Sequence, residues 1–372
     1  MVEQFTLKED NELRFDVVSE DVAIELCSGR AEVFGTELKQ NEKYVFLPGM
    51  RVAVFSWTGA TIEISGSASN AYVAESNHPM ILYLNTHEGM EQIRVKARAD
   101  LTGKTRGPRT MVVGPTDVGK STVCRILTNY AVRMGHTPMY VDVDVGQGNV
   151  SVAGTIGALM IDRTADPVYG FDDRCAKVFQ FGDKSPGTNI PLYDRLVEEL
   201  AKMVSLLTPV VGFVKIVHHP KSGGVEARSP AIRSANRTKS FHKYFYGTRQ
   251  ISYNPFRIVI SFDDLIIAKI GTERLPESCM PHGMKTTDHR MMVVRIEPSA
   301  KLVNHVVAIT EGFTVVDQSL LSAVAIGFIV IVDVSVENRQ LSITCPQPSF
   351  PEGTTVGLLS DVTFTDDEVR VH

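Results

Sequence analysis

Residues Gly114-Pro-Thr-Asp-Val-Gly119-Lys120-Ser121 fit the pattern G-x-x-x-x-G-K-[ST] at every constrained position. The chemistry of that spacing is phosphate binding. Glycines leave no Cβ between the backbone N–H groups and a β-phosphate, Lys120 can neutralise the β and γ oxygens, and the Ser121 hydroxyl can ligate Mg²⁺. Thr110–Val113 reads as a short buried strand leading into the loop. Ser121–Arg133 places Val123, Ile126, Leu127, Tyr130 and Ala131 on one side of a 3.6-residue period, so a helix is expected there, its positive end on the loop. Strand, loop and helix form the context a phosphate loop requires, and the chain is expected to bind a nucleoside triphosphate, ATP with Mg²⁺. An Asn-Lys-x-Asp guanine-specificity motif is absent, which disfavours a GTPase.

Two further groups have the right types for phosphoryl transfer. Asp142 and Asp144 alternate on a strand expected over Tyr140–Val145, ended by Gly146-Gln147-Gly148. Asp144 lies nearest the carboxyl end, where a doubly wound sheet puts its site, and can accept hydrogen bonds from an attacking hydroxyl or metal-bound water. The competing reading is two strand-end residues bonding their own turn. Beyond Pro220-Lys-Ser-Gly223-Gly224, a flexible entry, come Arg228, Arg233 and Arg237, the last two one helical turn apart. A glycine hinge followed by arginines suits a lid that closes on transition-state charge; surface arginines in weak ion pairs are the alternative. The pair His218-His219 has no accompanying ligand spacing and reads as a strand end.

The elements around these groups change character along the chain. Val22–Leu26, Arg51–Trp57 and Thr61–Ile64 read as strands, punctuated by Gly29, Gly35, Gly49, Gly59 and Gly66, as in a small antiparallel sandwich. A charged stretch, Glu91–Arg109, leads out through a linker at Thr102–Pro108. The middle holds the strand–loop–helix unit, an amphipathic helix at Leu192–Leu206 and a strand at Pro209–Val217. Short β segments follow after Tyr253, with Leu320–Val332 read as a buried strand. The expected architecture is α/β: an N-terminal β-sandwich over 1–98, a P-loop kinase domain with a parallel sheet over 99–250, and a C-terminal β-rich α/β domain over 251–372.

Composition sets bounds. The length of 372 residues calls for two or three domains, and 43% hydrophobic residues against 22% charged is a globular balance. Five scattered cysteines with no Cys-x-x-Cys argue against a disulfide framework or zinc site. No secretory signal or bilayer-spanning run is visible, so neither export nor a membrane is expected. Net charge is −5, yet Lys215–Arg249 holds eight basic residues against Glu226 alone; that local +7 leaves −12 for the remainder. One basic segment on an acidic body points to a local anionic target or to a solvated helix face.

With these residues in view, the chain resembles the eukaryotic polyribonucleotide 5′-hydroxyl kinases of the pre-mRNA cleavage complex, which also associate with the tRNA-splicing endonuclease. The resemblance rests on Glu12-Leu-Arg-Phe15, Ala31–Leu38, Arg51–Trp57, Tyr83-Leu-Asn-Thr86, Val113–Arg125, Asp144-Val-Gly-Gln147, Pro186–Ile190, Pro220–Gly224 and Tyr244-Phe-Tyr-Gly247. It implies transfer of the ATP γ-phosphate to the 5′-hydroxyl of RNA, with duplex ends preferred and DNA tolerated, and a nuclear location. It places nucleotide binding on Thr116, Asp117, Val118, Gly119, Lys120, Ser121 and Thr122, metal on Ser121 and Asp144, and catalysis on Lys120, Asp144, Arg228, Arg233 and Arg237. Adenine contacts fall on Glu12 and Arg51, which by themselves read as solvated surface residues. Some relatives keep the nucleotide only as a structural element, so an inactive ATP-binding scaffold is the alternative.

One departure stands out. Between Thr208 and Pro209 the family carries a further segment, about two strand–helix units or roughly 60 residues. Its Asn-Thr-x-Gly-Trp strand end supplies a tryptophan that clamps nucleic acid. The single tryptophan here is Trp57, in the N-terminal region. Ala153 also stands where the family usually has proline.

Overall fold

A computed structural model of the chain describes residues 2–75, 78–102, 104–207, 213–217, 228–272 and 288–365. These fall into two compact units. Unit one comprises Met1–Tyr140, Met160–Asp172 and Thr208–Arg228; unit two comprises Val141–Leu159, Asp173–Leu207 and Ser229–His372.

Unit one begins with two antiparallel sheets. One orders the strands Val2–Leu7, Ala60–Ser65, Val22–Gly29 and Lys43–Phe46; the other orders Thr36–Glu37, Glu32–Val33, Arg51–Ser56, Asn11–Asp16 and Ser69–Ala74. Val22, Ile24 and Leu26 are buried while Ala23, Glu25 and Cys27 are half-exposed, the period-two pattern of a sheet with one wet face. Leu13, Phe15, Phe46, Val54 and Ile62 fill the space between the sheets, with the Phe15 and Phe46 rings edge to face at 5.9 Å.

Two helices follow, α1 (Met80–Ala99) and α2 (Lys120–Arg133). Met80, Tyr83, His87 and Met90 are the buried residues of α1. Their steps of three, four and three are one helical face, hidden in the sequence by the charges between them. Met80, Tyr83 and Met90 pack with Phe55 of the sandwich and with Val123, Ile126, Leu127 and Tyr130 of α2, the face expected of that helix.

The strand Arg109–Val113 pairs in parallel with Phe213–Val217, and among the described residues this sheet has only those two strands. Thr110 and Met111 are exposed, Met111 at 59%. The strand expected to be buried is therefore partly open, because a parallel strand is covered only when neighbours and crossover helices flank both its faces.

Unit two rests on a ten-stranded mixed sheet. Its path runs Met139–Asp142, Thr155–Met160, Lys177–Gln180, Val324–Ser335, His305–Thr310, Thr355–Thr363, Leu265–Ile270 and Val293–Ile296, with Gln340–Cys345 and Phe256–Ser261 as a branch. Helix α3 (Ile190–Leu207) buries Leu192, Leu196 and Leu200, one residue per turn. Helix α4 (Pro230–Tyr246) buries Phe241 and Phe245, whose rings lie 5.5 and 5.8 Å from that of Phe364. The Leu320–Val332 strand is corrected: Gln318–Ser322 is a 3₁₀ turn capped by Asp317, and the strand starts at Val324.

Candidate functional site

The phosphate loop is shaped by its first and last turns. Asp117 and Gly119 take left-handed backbone angles, φ 55° and 82°, and α2 starts at the next residue. Gly119 occupies the helix-capping position and has no side chain to offer, so no side-chain oxygen caps the start of α2. No acid stands in the first turn. The first N–H groups of α2, which have no intrahelical acceptor, and the helix's positive end are thus left for an anion. A phosphate group fits this cradle.

The side chains of the loop agree with that use. Lys120 Nζ donates to Pro115 O at 2.5 Å, folding the ammonium back over its own loop. Thr116 and Ser121 are exposed, Thr122 is half-buried, and Val118 is buried and anchors the loop. The Asp117 carboxylate accepts the backbone N–H of Arg228 at 2.9 Å, which brings the start of the arginine segment to the loop.

The far end of α2 is closed. Tyr130 donates its hydroxyl to Glu32 Oε1 at 2.5 Å, and Arg133 pairs with Glu32 at 2.7 Å and with Glu37 at 2.5 Å. Burial and the Glu32 charge push the Tyr130 phenol above its ordinary range. Asn129, fully buried, donates to Phe34 O and Thr36 Oγ1 and accepts from Ala165 N. These bonds pin α2 to the sandwich.

Glu12 departs from the surface reading given above, and Arg51 keeps it. Glu12 is buried, at 6% exposure, and its carboxylate pairs with Arg14 Nε at 2.5 Å. Residues two apart on a strand share a face, so Glu12 and Arg14 lie together on the face opposite the Leu13–Phe15 core, where Arg14 Nη1 also donates to Tyr72 Oη at 3.4 Å. Arg51 is 43% exposed along its side chain, with Nε 3.7 Å from Asp16 Oδ1.

In unit two the aspartate strand is shorter than expected. It ends at Asp142, and Asp144 lies in the turn beyond it. The reason is local: Asp142 Oδ1 accepts the N–H of Asp144 at 2.9 Å and Oδ2 that of Asn149 at 2.7 Å, so the side chain takes donors a longer strand would use. Burial raises the Asp142 carboxyl above its ordinary value, aided by the Asp144 charge and opposed by these two bonds. Asp144 is exposed; its Oδ1 accepts from Gly146 N at 2.9 Å and Gln147 N at 3.0 Å, while Oδ2 takes no bond from a described residue. One oxygen of Asp144 thus fixes the turn, and the other is left without a bond from a described residue.

Glycine is required in that turn. A Cβ on Gly146 would meet Lys184 O at 2.7 Å, and one on Gly148 would meet Asp144 O at 2.9 Å. Gln147 Nε2 donates to Arg233 O at 3.0 Å, joining the aspartate turn to α4. Sequence reasoning took Gln147 only as part of a strand end; its flanking glycines were the available signal. Arg233 and Arg237 are half-buried on α4, which starts at Pro230 behind the capping residue Ser229. The structure thus groups the loop residues, Arg228, Glu12 and Arg51 in unit one, and Asp144, Arg233 and Arg237 in unit two. Pro220–Gly224 and His218-His219 lie outside the described residues.

Comparison with known proteins covers the chain in three blocks. The P-loop model of mRNA cleavage and polyadenylation factor CLP1 matches residues 114–209, the N-terminal β-sandwich model of polyadenylation factor matches 6–97, and the pre-mRNA cleavage complex II protein Clp1 model matches 253–366. The protein CLP1 homolog of Brugia malayi is 48% identical over 424 aligned positions, covering 99% of this chain and 97% of that protein. The polyribonucleotide 5′-hydroxyl-kinase Clp1 of Danio rerio is 39% identical, covering 98% and 94%. A solved structure of a Clp1p–Pcf11p complex superposes with a TM-score of 0.82 at 19% identity, covering 98% of each chain. An alignment of 424 positions to a chain of 372 residues leaves at least 52 positions with no residue here. The P-loop block ends at 209, beside the point where the missing segment was expected. The chain belongs to the Clp1 family of pre-mRNA cleavage complex II proteins.

Proposed function

We propose that this protein is an ATP-dependent kinase of RNA 5′-hydroxyl ends that works in the nucleus with pre-mRNA cleavage-factor subunits and the tRNA-splicing endonuclease. The observation that carries the reading is the uncapped start of α2 beneath a loop whose lysine, among the described residues, has only a carbonyl for a partner. The first N–H groups of α2, within Thr116–Thr122, hold the β-phosphate, and Lys120 neutralises the oxygens on which charge develops. Glu12 and Arg51 orient the adenine. Ser121 would ligate Mg²⁺ and Asp144 would hold it through metal-bound water, and when bound the ion would supply positive charge against the triphosphate. The free Asp144 oxygen accepts the proton of the 5′-hydroxyl as that oxygen bonds to the γ-phosphorus and the bond to the β–γ bridging oxygen breaks, releasing ADP. Arg228, Arg233 and Arg237 stabilise the transferred group. In domain terms the kinase occupies 99–250, between a sandwich over 1–98 and a C-terminal domain over 251–372.

A second reading has its own observation. The two-stranded sheet with exposed Thr110 and Met111, and the family positions absent beside it, favour a chain that holds ATP without turning it over. Asp144→Asn separates the two. As a kinase, the wild type transfers phosphate and the variant keeps ATP affinity while losing transfer by about 10²–10⁴-fold. Wild-type protein that retains ATP and transfers nothing sinks the kinase reading and leaves the scaffold.

A further inference from the structure

At the closed end of α2 lies a group of charges for which the kinase reading has no use. Arg94 and Arg98 on α1, Arg106 in the segment after it and His136 beyond α2 line one open pocket of about 350 Å³, together with Thr105. Three separate stretches of chain bring basic groups to one concavity. Glu91, 13% exposed along its side chain, accepts from Arg94 Nη1 at 3.1 Å and meets His136 Nε2 at 2.7 Å, with Arg98 Nη2 at 3.5 Å. Burial works against its charge, but the bonds from His136 and Arg94 outweigh that and hold its carboxyl below the usual range. Glu91 is therefore an anion that orients the cluster; with Asp100, whose carboxylate accepts the N–H of the pocket residue Thr105 at 2.6 Å, it leaves one of the three guanidinium charges without a counterpart.

The ordinary explanation for such residues is the helix macrodipole, which favours cations near a C-terminus. It accounts for Arg98, in the last turn of α1. It does not account for Arg106, which is off the helix and bonds to no described residue, nor for the convergence in a pocket. The Arg98 side chain is 61% exposed, so its guanidinium is open to a ligand. Converging guanidinium groups that outnumber the carboxylates beside them are an arrangement that can take a phosphate.

Helix α2 has 14 residues and rises about 20 Å from the phosphate loop to this end. Along a duplex axis, where each strand carries one phosphate per about 3.4 Å, that distance corresponds to roughly six phosphates. We propose that the Arg94–Arg98–Arg106–His136 pocket is a second phosphate site, which takes one internucleotide phosphate of the RNA whose 5′ end is phosphorylated at the P-loop. The pocket measures the strand and favours substrates long enough to reach it. The identity of the ligand rests on the kinase reading above; the charge geometry does not.

The test is fluorescence anisotropy with two 5′-hydroxyl RNA hairpins, with stems of about 4 and about 12 base pairs, at several salt concentrations. Wild type is compared with the double variant Arg98→Gln/Arg106→Gln, and ATP affinity is measured on both. The expected result is about tenfold weaker binding of the long hairpin by the variant and a salt slope smaller by about one to two. The short hairpin and ATP bind both proteins alike. An unchanged slope and affinity for the long hairpin overturns the proposal. Equal weakening of both hairpins also overturns it, since that is a general loss of positive field. If wild type binds ATP but neither hairpin, the RNA reading itself fails and the pocket proposal goes with it.

Discussion

The two ends of α2 are made of similar residues and treated in opposite ways. At the N-terminal end the helix starts on a glycine, lacks a side-chain cap and leaves Lys120 and Ser121 open to a ligand. At the C-terminal end Asn129, Tyr130 and Arg133 spend their polar groups on Phe34, Thr36, Glu32, Glu37 and Ala165. The same helix is thus an unsatisfied terminus in front and an anchor behind. A terminus that must receive a triphosphate cannot hold itself in place through its own polar groups, so the opposite end supplies the rigidity.

Substitutions at the two ends should separate ligand binding from stability. The largest effect is expected at the open end: Lys120→Ala should weaken ATP binding by about 10²-fold or more while leaving the melting temperature of the free protein within about 1 °C of wild type, because among the described residues Lys120 bonds only Pro115 O. Isothermal titration and a thermal melt check both halves, and a lower melting temperature would break the contrast. At the anchored end, Glu32→Ala removes the shared acceptor of Tyr130 and Arg133 and should cost about 3 kcal/mol. Urea unfolding reads that loss; a variant as stable as wild type would show that the anchor does not hold α2. Asn129→Ala leaves the Ala165 N–H without its acceptor in a buried setting and should cost about 2 kcal/mol.

The smallest effect concerns the aspartate turn of unit two. The Asp142 carboxyl is raised above its ordinary 3.8, so above that pH the folded chain holds a proton the unfolded chain has released. Stability from this group is complete below about pH 3.8 and declines as pH rises toward the raised value. Urea unfolding in small steps upward from about pH 4 should show that decline, and Asp142→Asn should flatten it. A stability that instead climbs through this interval by the same amount in both proteins would remove Asp142 from the account.

What could be read in the sequence was local. The phosphate loop and the buried face of α2 follow from spacing within one turn or one motif, and both stand in the structure. Helix α1 overlaps the charged stretch Glu91–Arg109 only in its second half, and its Met80, Tyr83, His87 and Met90 face is hidden in the sequence by the charges between and beyond them. Asp144 was placed on a strand, since nothing in the residue pattern tells that Asp142 will take the backbone donors first. Glu12 alone reads as surface; its burial on the face opposite the Leu13–Phe15 core depends on residues far along the chain, a long-range event. The apolar run Thr110–Val113 reads as buried, and its openness could not be read from it, because cover for a parallel strand comes from neighbours far along the chain.

The central claim is that the open end of α2 serves a phosphoryl transfer and not storage of a nucleotide. Incubating the full chain with Mg²⁺, γ-labelled ATP and a 5′-hydroxyl RNA hairpin, then mapping the label, tests it most directly. The account predicts label on the 5′ end with wild type and none with Lys120→Ala. Tightly bound ATP that survives the incubation with no labelled RNA would contradict it.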